Sequence, residues 1–235
     1  IKSIVKRTAE EFGLGEILNK KVWQVSQEER SEIVLSRLMI RDAKYYLIDD
    51  IFSGKLGIHF SKLFQKVAKI AIKLKNEGKN VVFFTRNREF AKIVADKILI
   101  VANHEMREFS DKKTLLEAPK NIYSVIGMFG QENIITCDIK GKTIVDRMGH
   151  LRNKYIDFDF MPSSVYLSIP NKAIKKGDEN TLKVRRVKQL EDGTFQHVMR
   201  NGMLIVRDEK CQEITFDIDL NECMFFDIST GLRVR

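Results

Sequence analysis

Residues 25–56 read VSQEERSEIVLSRLMIRDAKYYLIDDIFSGKL, and their order decides the fold. Ser26 followed three positions later by Glu29 is the mark of a capping box, in which each side chain accepts from the other residue's backbone N–H at a helix start. Ile33, Leu35, Leu38 and Met39 then recur at helical spacing, which predicts one amphipathic helix through Ile40. Next comes Tyr45-Tyr46-Leu47-Ile48, a continuous apolar run of β-prone residues. A strand buried on both faces of a parallel sheet reads this way. Asp49 and Asp50 follow at once. Open α/β sheets bind ligands outside the carboxyl ends of their strands. The segment therefore predicts an α/β fold with an acidic site at a strand end.

Upstream, residues 6–18 are expected to form a short helix. Downstream, Leu63, Phe64, Val67, Ile70, Ala71 and Leu74 define one face of a helix over residues 60–75, ended by Asn76-Glu77-Gly78. Val81-Val82-Phe83-Phe84-Thr85 reads as a second buried strand, residues 89–95 as a helix, and Ile98-Leu99-Ile100-Val101 as a third strand. That order predicts right-handed crossovers in a mostly parallel sheet. The texture changes between residues 125 and 135. From Asn133 onward, short alternating segments fall at residues 134–139, 165–169, 182–187, 195–198, 203–206 and 214–218. Gly141, Gly149, Asp192-Gly193 and Asn201-Gly202 punctuate them as turns. This half is expected to be a small all-β barrel or sandwich. Two domains are expected, residues 1–128 and 129–235.

A chain of 235 residues is long enough for a full core. No apolar run reaches the ~18–20 residues that cross a bilayer as a helix. Nothing at the N-terminus reads as a signal peptide, and the start at Ile1 points to a fragment or a processed chain. Cys137, Cys211 and Cys223 lie far apart without Cys-x-x-Cys spacing, and the histidines are scattered. Reduced, buried thiols are expected and a zinc site is not. The net charge of +9 invites an anionic partner. Yet Lys and Arg are interspersed with Asp and Glu, and the densest basic run, Lys183, Arg185, Arg186 and Lys188, alternates with apolar residues. That is the pattern of a strand with a solvated basic face. No nucleic-acid partner is expected; a basic β-barrel that binds nucleic acid is the competing class.

The opening segment resembles, without a gap, the core of ABC-transporter ATPases. There a signature motif, usually LSGGQ, opens a helix that leads to a Walker B strand ending in Asp-Glu. Here Val25-Ser26-Gln27-Glu28-Glu29 stands at the signature, with Leu35, Arg37, Arg41 and Asp42 in register behind it. Residues 84–91, FTRNREFA, resemble the family's switch segment. Ala95-Asp96-Lys97-Ile98 resembles the "ADRI" that opens the next strand, and residues 110–119 resemble the region after it. Phe129-Gly130 and Asn133 resemble the junction to a C-terminal domain called TOBE, and residues 225–231, FFDISTG, resemble its ending. The likeness covers nearly the whole chain. It implies part of an ABC-ATPase (P-loop NTPase-like) parallel-sheet domain followed by a small OB-like TOBE barrel. By function it implies the ATP-binding subunit of an ABC importer of polyamine or sugar type, with polyamine preferred. ATP and Mg²⁺ would be its cofactors. Transmembrane permease subunits and a second ATPase subunit, identical or not, would be its partners at the cytoplasmic face of the membrane.

The resemblance also assigns roles. Asp49 would hold Mg²⁺, usually through water. Asp50 stands where the family has a Glu that orients or activates the attacking water. A side chain one methylene shorter withdraws its oxygens by about a bond length, and a ~1 Å misplacement can cost ~10²-fold in rate. Attenuated hydrolysis is expected. Arg86 replaces the switch His at the γ-phosphate, where a guanidinium can clamp phosphate oxygens but cannot accept a proton. Ser26, Gln27, Glu28 and Glu29 would face a nucleotide held by the partner subunit, at a helix N-terminus. Gln27 and Glu28 replace glycines there, and two carboxylates repel phosphate. Ile51 replaces a Pro, and Ser53-Gly54-Lys55-Leu56 keeps only the Ser of the loop that usually reads Ser-Ala-Leu-Asp. No Gly-x-x-x-x-Gly-Lys-Ser/Thr occurs in the sequence. Three strands are too few for the family's sheet, so a chain lacking its upstream residues is the expectation. A non-hydrolysing scaffold is the alternative.

Overall fold

The computed structural model describes residues 2–50, 57–130, 133–149, 151–156, 162–190 and 192–234. The chain divides into two units, Ile1–Asp96 and Lys97–Arg235. The first runs α1 (Lys2–Glu11), α2 (Gln27–Ile40), β1 (Tyr45–Asp49), α3 (Gly57–Asn76), β2 (Asn80–Phe84) and α4 (Arg88–Val94). α1 ends sooner than residue 18 because the chain turns at Gly13, whose φ is +67°, before a short 3-10 turn at Gly15–Ile17. α2 starts and stops where the capping box and the apolar spacing place it. α3 closes with Gly78 at φ +73°, the Lys79 N–H donating to the Leu74 carbonyl and the Gly78 N–H to the Lys75 carbonyl, each at 2.9 Å. That is a Schellman closure.

β1 and β2 pair in parallel, with Leu47 opposite Val82 and Asp49 opposite Phe84. The core beneath them gathers Leu35 of α2, Tyr46 of β1, Val67 and Leu74 of α3, and Phe90 of α4. The Phe90 ring meets Phe64 and Phe83 edge-on, at centroid distances of 5.3 and 4.9 Å. Burying each such side chain stabilises by ~1.5–3 kcal/mol. β1 is not buried on both faces, as its apolar run predicts. Tyr46 and Ile48 are buried, whereas Tyr45 and Leu47 are 61% and 67% exposed. Helices cover one face of this two-stranded sheet, so an apolar run and an alternating burial pattern coincide.

The third expected strand does not join the parallel sheet. β3 (Lys97–Ala102) pairs antiparallel with β4 (Glu105–Asp111) in the second unit, through a turn at Asn103 and His104, both in the left-handed region. Two left-handed residues in a two-residue loop match the twist of the flanking strands. Then follow α5 (Lys112–Glu117), α6 (Ile122–Phe129) and, among the described residues, nine strands: β5 (Ile134–Lys140), β6 (Thr143–Asp146), β7 (Lys154–Tyr155), β8 (Ser164–Ser168), β9 (Ile174–Gln189), β10 (Phe195–Met199), β11 (Leu204–Arg207), β12 (Glu213–Ile218) and β13 (Met224–Asp227). They form two antiparallel sheets, ordered β11-β10-β9-β12 and β13-β8-β5-β6-β7. Cys137, Val165 and Leu167 of one sheet share a core with Met199, Ile205 and Phe216 of the other. This is the antiparallel β-domain expected of the second half. Its unit begins earlier than residue 129, because Ile122 and Val125 of α6 pack with Phe226 of β13.

Candidate functional site

The parallel pairing of β1 and β2 puts both carboxyl ends on one edge. Asp49 is the last residue of β1 and is exposed; Asp50 follows, half-buried. The Asp50 N–H donates to the Phe84 carbonyl at 2.8 Å, which extends the ladder by one bond. To make it, Asp50 adopts φ +37°, an uncommon conformation for a residue other than glycine. Arg86 lies two residues past Phe84 and is exposed. Asp49, Asp50 and Arg86 thus emerge on the same sheet edge, and none has an ion-pair partner among the described residues. Two carboxylates and a guanidinium without partners can meet a cation and an anion respectively.

Thr85 and Asn87 hold the Arg86 turn, and the sequence analysis did not single them out. The Asn87 N–H donates to Thr85 Oγ1 at 3.0 Å, and Asn87 Oδ1 accepts from the Phe90 N–H at 2.8 Å, capping α4. Asn is a preferred N-cap residue, so its place just ahead of a helix was a usable signal. Entry to β1 is fixed by Tyr46, whose hydroxyl donates to the Arg41 carbonyl and accepts from the Ala43 N–H. Asp42 pairs with Lys79, and that lysine's hydrogen bond and charge hold the Asp42 carboxyl below its ordinary range.

Ser26 caps α2 as its sequence context predicts. Its Oγ accepts from the Glu29 N–H at 3.1 Å, and its own N–H donates to Glu29 Oε2 at 2.7 Å. Glu29 also pairs with Lys20 at 3.5 Å. The Ser26 N–H, and then the Lys20 charge, hold the Glu29 carboxyl below its ordinary value. Glu29 is therefore engaged in closing its own helix rather than standing free. Gln27 and Glu28 open the helix, but their side chains lie outside the described residues, as do Ile51 and Ser53-Gly54-Lys55-Leu56. No ion pair among the described residues joins Glu29 to Arg86. Among those residues no group of three or more His, Cys, Asp or Glu side chains converges on a metal position, and no helix is long and apolar enough to cross a membrane.

No family model matches the chain. Among curated proteins it is 23% identical over 263 residues to the oligosaccharides import ATP-binding protein MsmX of Bacillus subtilis, covering all of this chain and 70% of that one. It is 24% identical over 230 residues to the spermidine/putrescine import ATP-binding protein PotA of Vibrio cholerae, across 88% of this chain and 57% of that protein. With the multiple sugar-binding transport ATP-binding protein MsmK of Streptococcus mutans it shares 27% over 159 residues, 64% of this chain and 40% of the relative. A solved ABC transporter in an inward-facing conformation overlaps 66% of this chain and 57% of its own at a TM-score of 0.45 and 15% identity, a likeness too loose to carry weight. These curated relatives are all described as ATP-binding proteins of import or transport systems, and the chain resembles them at 23%, 24% and 27% identity.

Proposed function

We propose that this chain is the ATP-binding, energising subunit of an ABC importer, with hydrolysis attenuated. The observation that carries the reading is the emergence of Asp49, Asp50 and Arg86 on one edge of β1–β2, behind the capped helix α2. Asp49, exposed at the strand end, fits a Mg²⁺ ion that keeps most of its water and takes a single carboxylate. Asp50 takes the role of the group that orients the attacking water, and Arg86 that of the contact to the terminal phosphate. The antiparallel β-domain is the TOBE domain in this reading. The subunit pairs with a second ATPase subunit and docks on transmembrane permease subunits at the cytoplasmic face of the membrane. Polyamine is the transported class we propose, on the likeness to PotA, with oligosaccharide as the competitor on the likeness to MsmX.

The test is nucleotide binding and phosphate release by the full-length protein. Asp50→Glu is expected to raise phosphate release, because the longer side chain restores the reach of the carboxylate. Asp49→Asn is expected to lose Mg²⁺-dependent binding. A second reading, a non-hydrolysing scaffold, is favoured by Gln27 and Glu28 standing where the family has glycines. Undetectable ATP binding, with no gain from Asp50→Glu, would establish the scaffold and remove the ATPase. Uptake of labelled spermidine against labelled oligosaccharide, in cells with and without the gene, separates the two transported classes.

A further inference from the structure

The outer face of the β11-β10-β9 layer carries an organised basic surface that the ATPase reading does not use. His197, Met199 and Ile205 are wholly buried, so the alternate positions on β10 and β11 face outward. Two rows cross the three strands there. In one, Leu204 lies beside Val198 and Val198 beside Arg186; in the other, Val206 lies beside Gln196 and Gln196 beside Lys188. The register shift at Val198 and Met199 makes Arg185 an extra residue on β9, so Arg185 and Arg186 are exposed side by side. Lys183 continues the cationic line, and the Arg200 N–H donates to the Lys183 carbonyl at 3.0 Å, bringing Arg200 alongside. None of these five cations has an ion-pair partner among the described residues. Glu213, opposite Lys183 on β12, is the carboxylate that register places beside them.

We propose that this face is a docking surface for an acidic, aliphatic polypeptide segment of a partner protein. Three features select that occupant. Charge complementarity requires an anion, since unpaired cations on a solvated sheet attract one. The half-buried Val198, Leu204 and Val206 beside the cations favour a ligand that alternates carboxylates with small apolar groups. Neither row carries an aromatic side chain, and single-stranded nucleic acid depends on aromatic platforms for stacking. The extent fits as well. Three strands spaced by ~4.8 Å and five residues rising ~3.3 Å each span roughly 15 Å on a side, room for one segment rather than a whole domain. The inference stands apart from nucleotide binding and survives its failure.

The experiment uses the full chain and a fluorescein-labelled peptide of alternating Glu and Val, read by anisotropy at low and at high salt. Binding is expected at low salt, weakening at least about tenfold in the Arg186→Glu, Lys188→Glu double variant. The control is Lys69→Glu, Lys73→Glu on α3, which changes net charge equally at another exposed basic surface and is expected to leave binding unchanged. If the charge-reversed variant does not fold, Arg186→Gln, Lys188→Gln makes the same comparison with neutral side chains. Equal weakening by both double variants reduces the effect to bulk charge and overturns the proposal. So does an absence of peptide binding, or tighter binding of oligothymidylate or of phosphatidylglycerol vesicles than of the peptide.

Discussion

The side chain of Asn133 pairs with both backbone groups of Leu204. Leu204 N–H donates to Asn133 Oδ1 at 2.7 Å, and Asn133 Nδ2 donates to the Leu204 carbonyl at 2.8 Å. The carboxamide stands in for a neighbouring strand at the edge of β11. At the same time the Asn133 carbonyl accepts from the Ile169 N–H at 2.9 Å, past the end of β8. One residue thus ties the two antiparallel sheets together, and it does so at φ +66°, a conformation that Asn tolerates better than most.

Asn133→Ala is expected to destabilise the second unit by ~1–3 kcal/mol, since two part-buried hydrogen bonds are lost and the Leu204 groups are left unpaired. Asn133→Asp should be nearly as costly, because a carboxylate oxygen then faces the Leu204 carbonyl. Asn133→Gly relieves the positive φ but restores no bond, so it should fall close to Ala. Urea unfolding of the three variants checks the order. An Ala variant as stable as the parent would show that the bidentate pair contributes nothing.

Gly177 sits where β9 bulges against β12. A Cβ there would meet the Asp217 carboxylate at 2.0–2.2 Å, while Asp217 Oδ1 accepts from the Glu179 N–H at 2.9 Å. Gly177→Ala must push that carboxylate off its bond, and a loss of about 1–3 kcal/mol is expected from overpacking. Asp217→Gly removes the obstacle and the bond together. In the double variant the two losses should therefore fall well short of additive, which a double-mutant cycle in urea measures.

What the sequence disclosed, and what it hid, follows from the range of the forces involved. α2, α3 and the position of β2 are legible because capping chemistry and apolar spacing are local, although β2 is not the buried strand its apolar run predicts, since Val82 and Phe84 are exposed. Ser26 and Glu29 sit three residues apart, and the helix they start needs no distant partner to be recognised. β4 was missed because EMREFSD reads as polar; its one buried acid, Glu108, bonds to Ser124 Oγ and the Lys120 N–H, contacts that no spacing reveals. The first half of β9 was missed because Gly177 and its polar neighbours look like a loop until Asp217 is placed beside them. β3 belongs to an antiparallel pair with β4 rather than to the parallel sheet its position suggests, since an apolar run does not encode the direction of its partner. At the candidate site, the two acids at the end of β1 were legible in the sequence, whereas the common edge they share with Arg86 comes from the parallel pairing of β1 with β2. The Lys20–Glu29 pair, which joins residues across a turn, was not legible.

Stability should depend on pH through Ser26 and Glu29 in a predictable sense. The folded Glu29 carboxyl lies below its ordinary value of 4.5, so its contribution is complete above that value and is lost as pH falls through the lower folded value. Glu29→Gln keeps an acceptor for the Ser26 N–H but removes this acid dependence. Ser26→Ala removes the cap at any pH, at a cost of ~1 kcal/mol. Far-UV circular dichroism during urea unfolding at mildly acidic and at neutral pH distinguishes the two variants.

Cys137 predicts the opposite limb. Burial pushes its thiol from 9.0 to about 12, with the Asp146 charge adding to the effect. An acid whose folded value is raised contributes fully below its unfolded value and loses that contribution as pH rises from about 9 toward 12. Cys137→Ala leaves a cavity that lowers stability at neutral pH, but its stability should fall less steeply with alkali than the parent's. Thiol reagents should modify Cys211, which is half-buried, before Cys137, which is wholly buried. Early labelling of Cys137 would contradict this assignment.

Asp50 sets backbone strain against chemistry, and three substitutions separate them. At φ +37° an Asp side chain carries a cost of roughly 1 kcal/mol that glycine does not. Asp50→Gly is therefore expected to leave stability unchanged or raise it by up to about 1 kcal/mol, the relief being partly offset by the greater freedom of the unfolded chain. Asp50→Asn keeps a residue that tolerates the left-handed region and removes only the charge, so stability should stay within about 0.5 kcal/mol of the parent. Asp50→Glu keeps the charge and lengthens its reach, at a somewhat higher backbone cost because Glu tolerates the left-handed region less well than Asp. If the carboxylate acts on water, phosphate release by the full-length protein should rise in Glu and vanish in both Asn and Gly, while thermal melts place Asn and Gly at or above the parent. Phosphate release that persists in Asn and Gly would assign Asp50 to the turn alone and move the search for the water-orienting group to another residue.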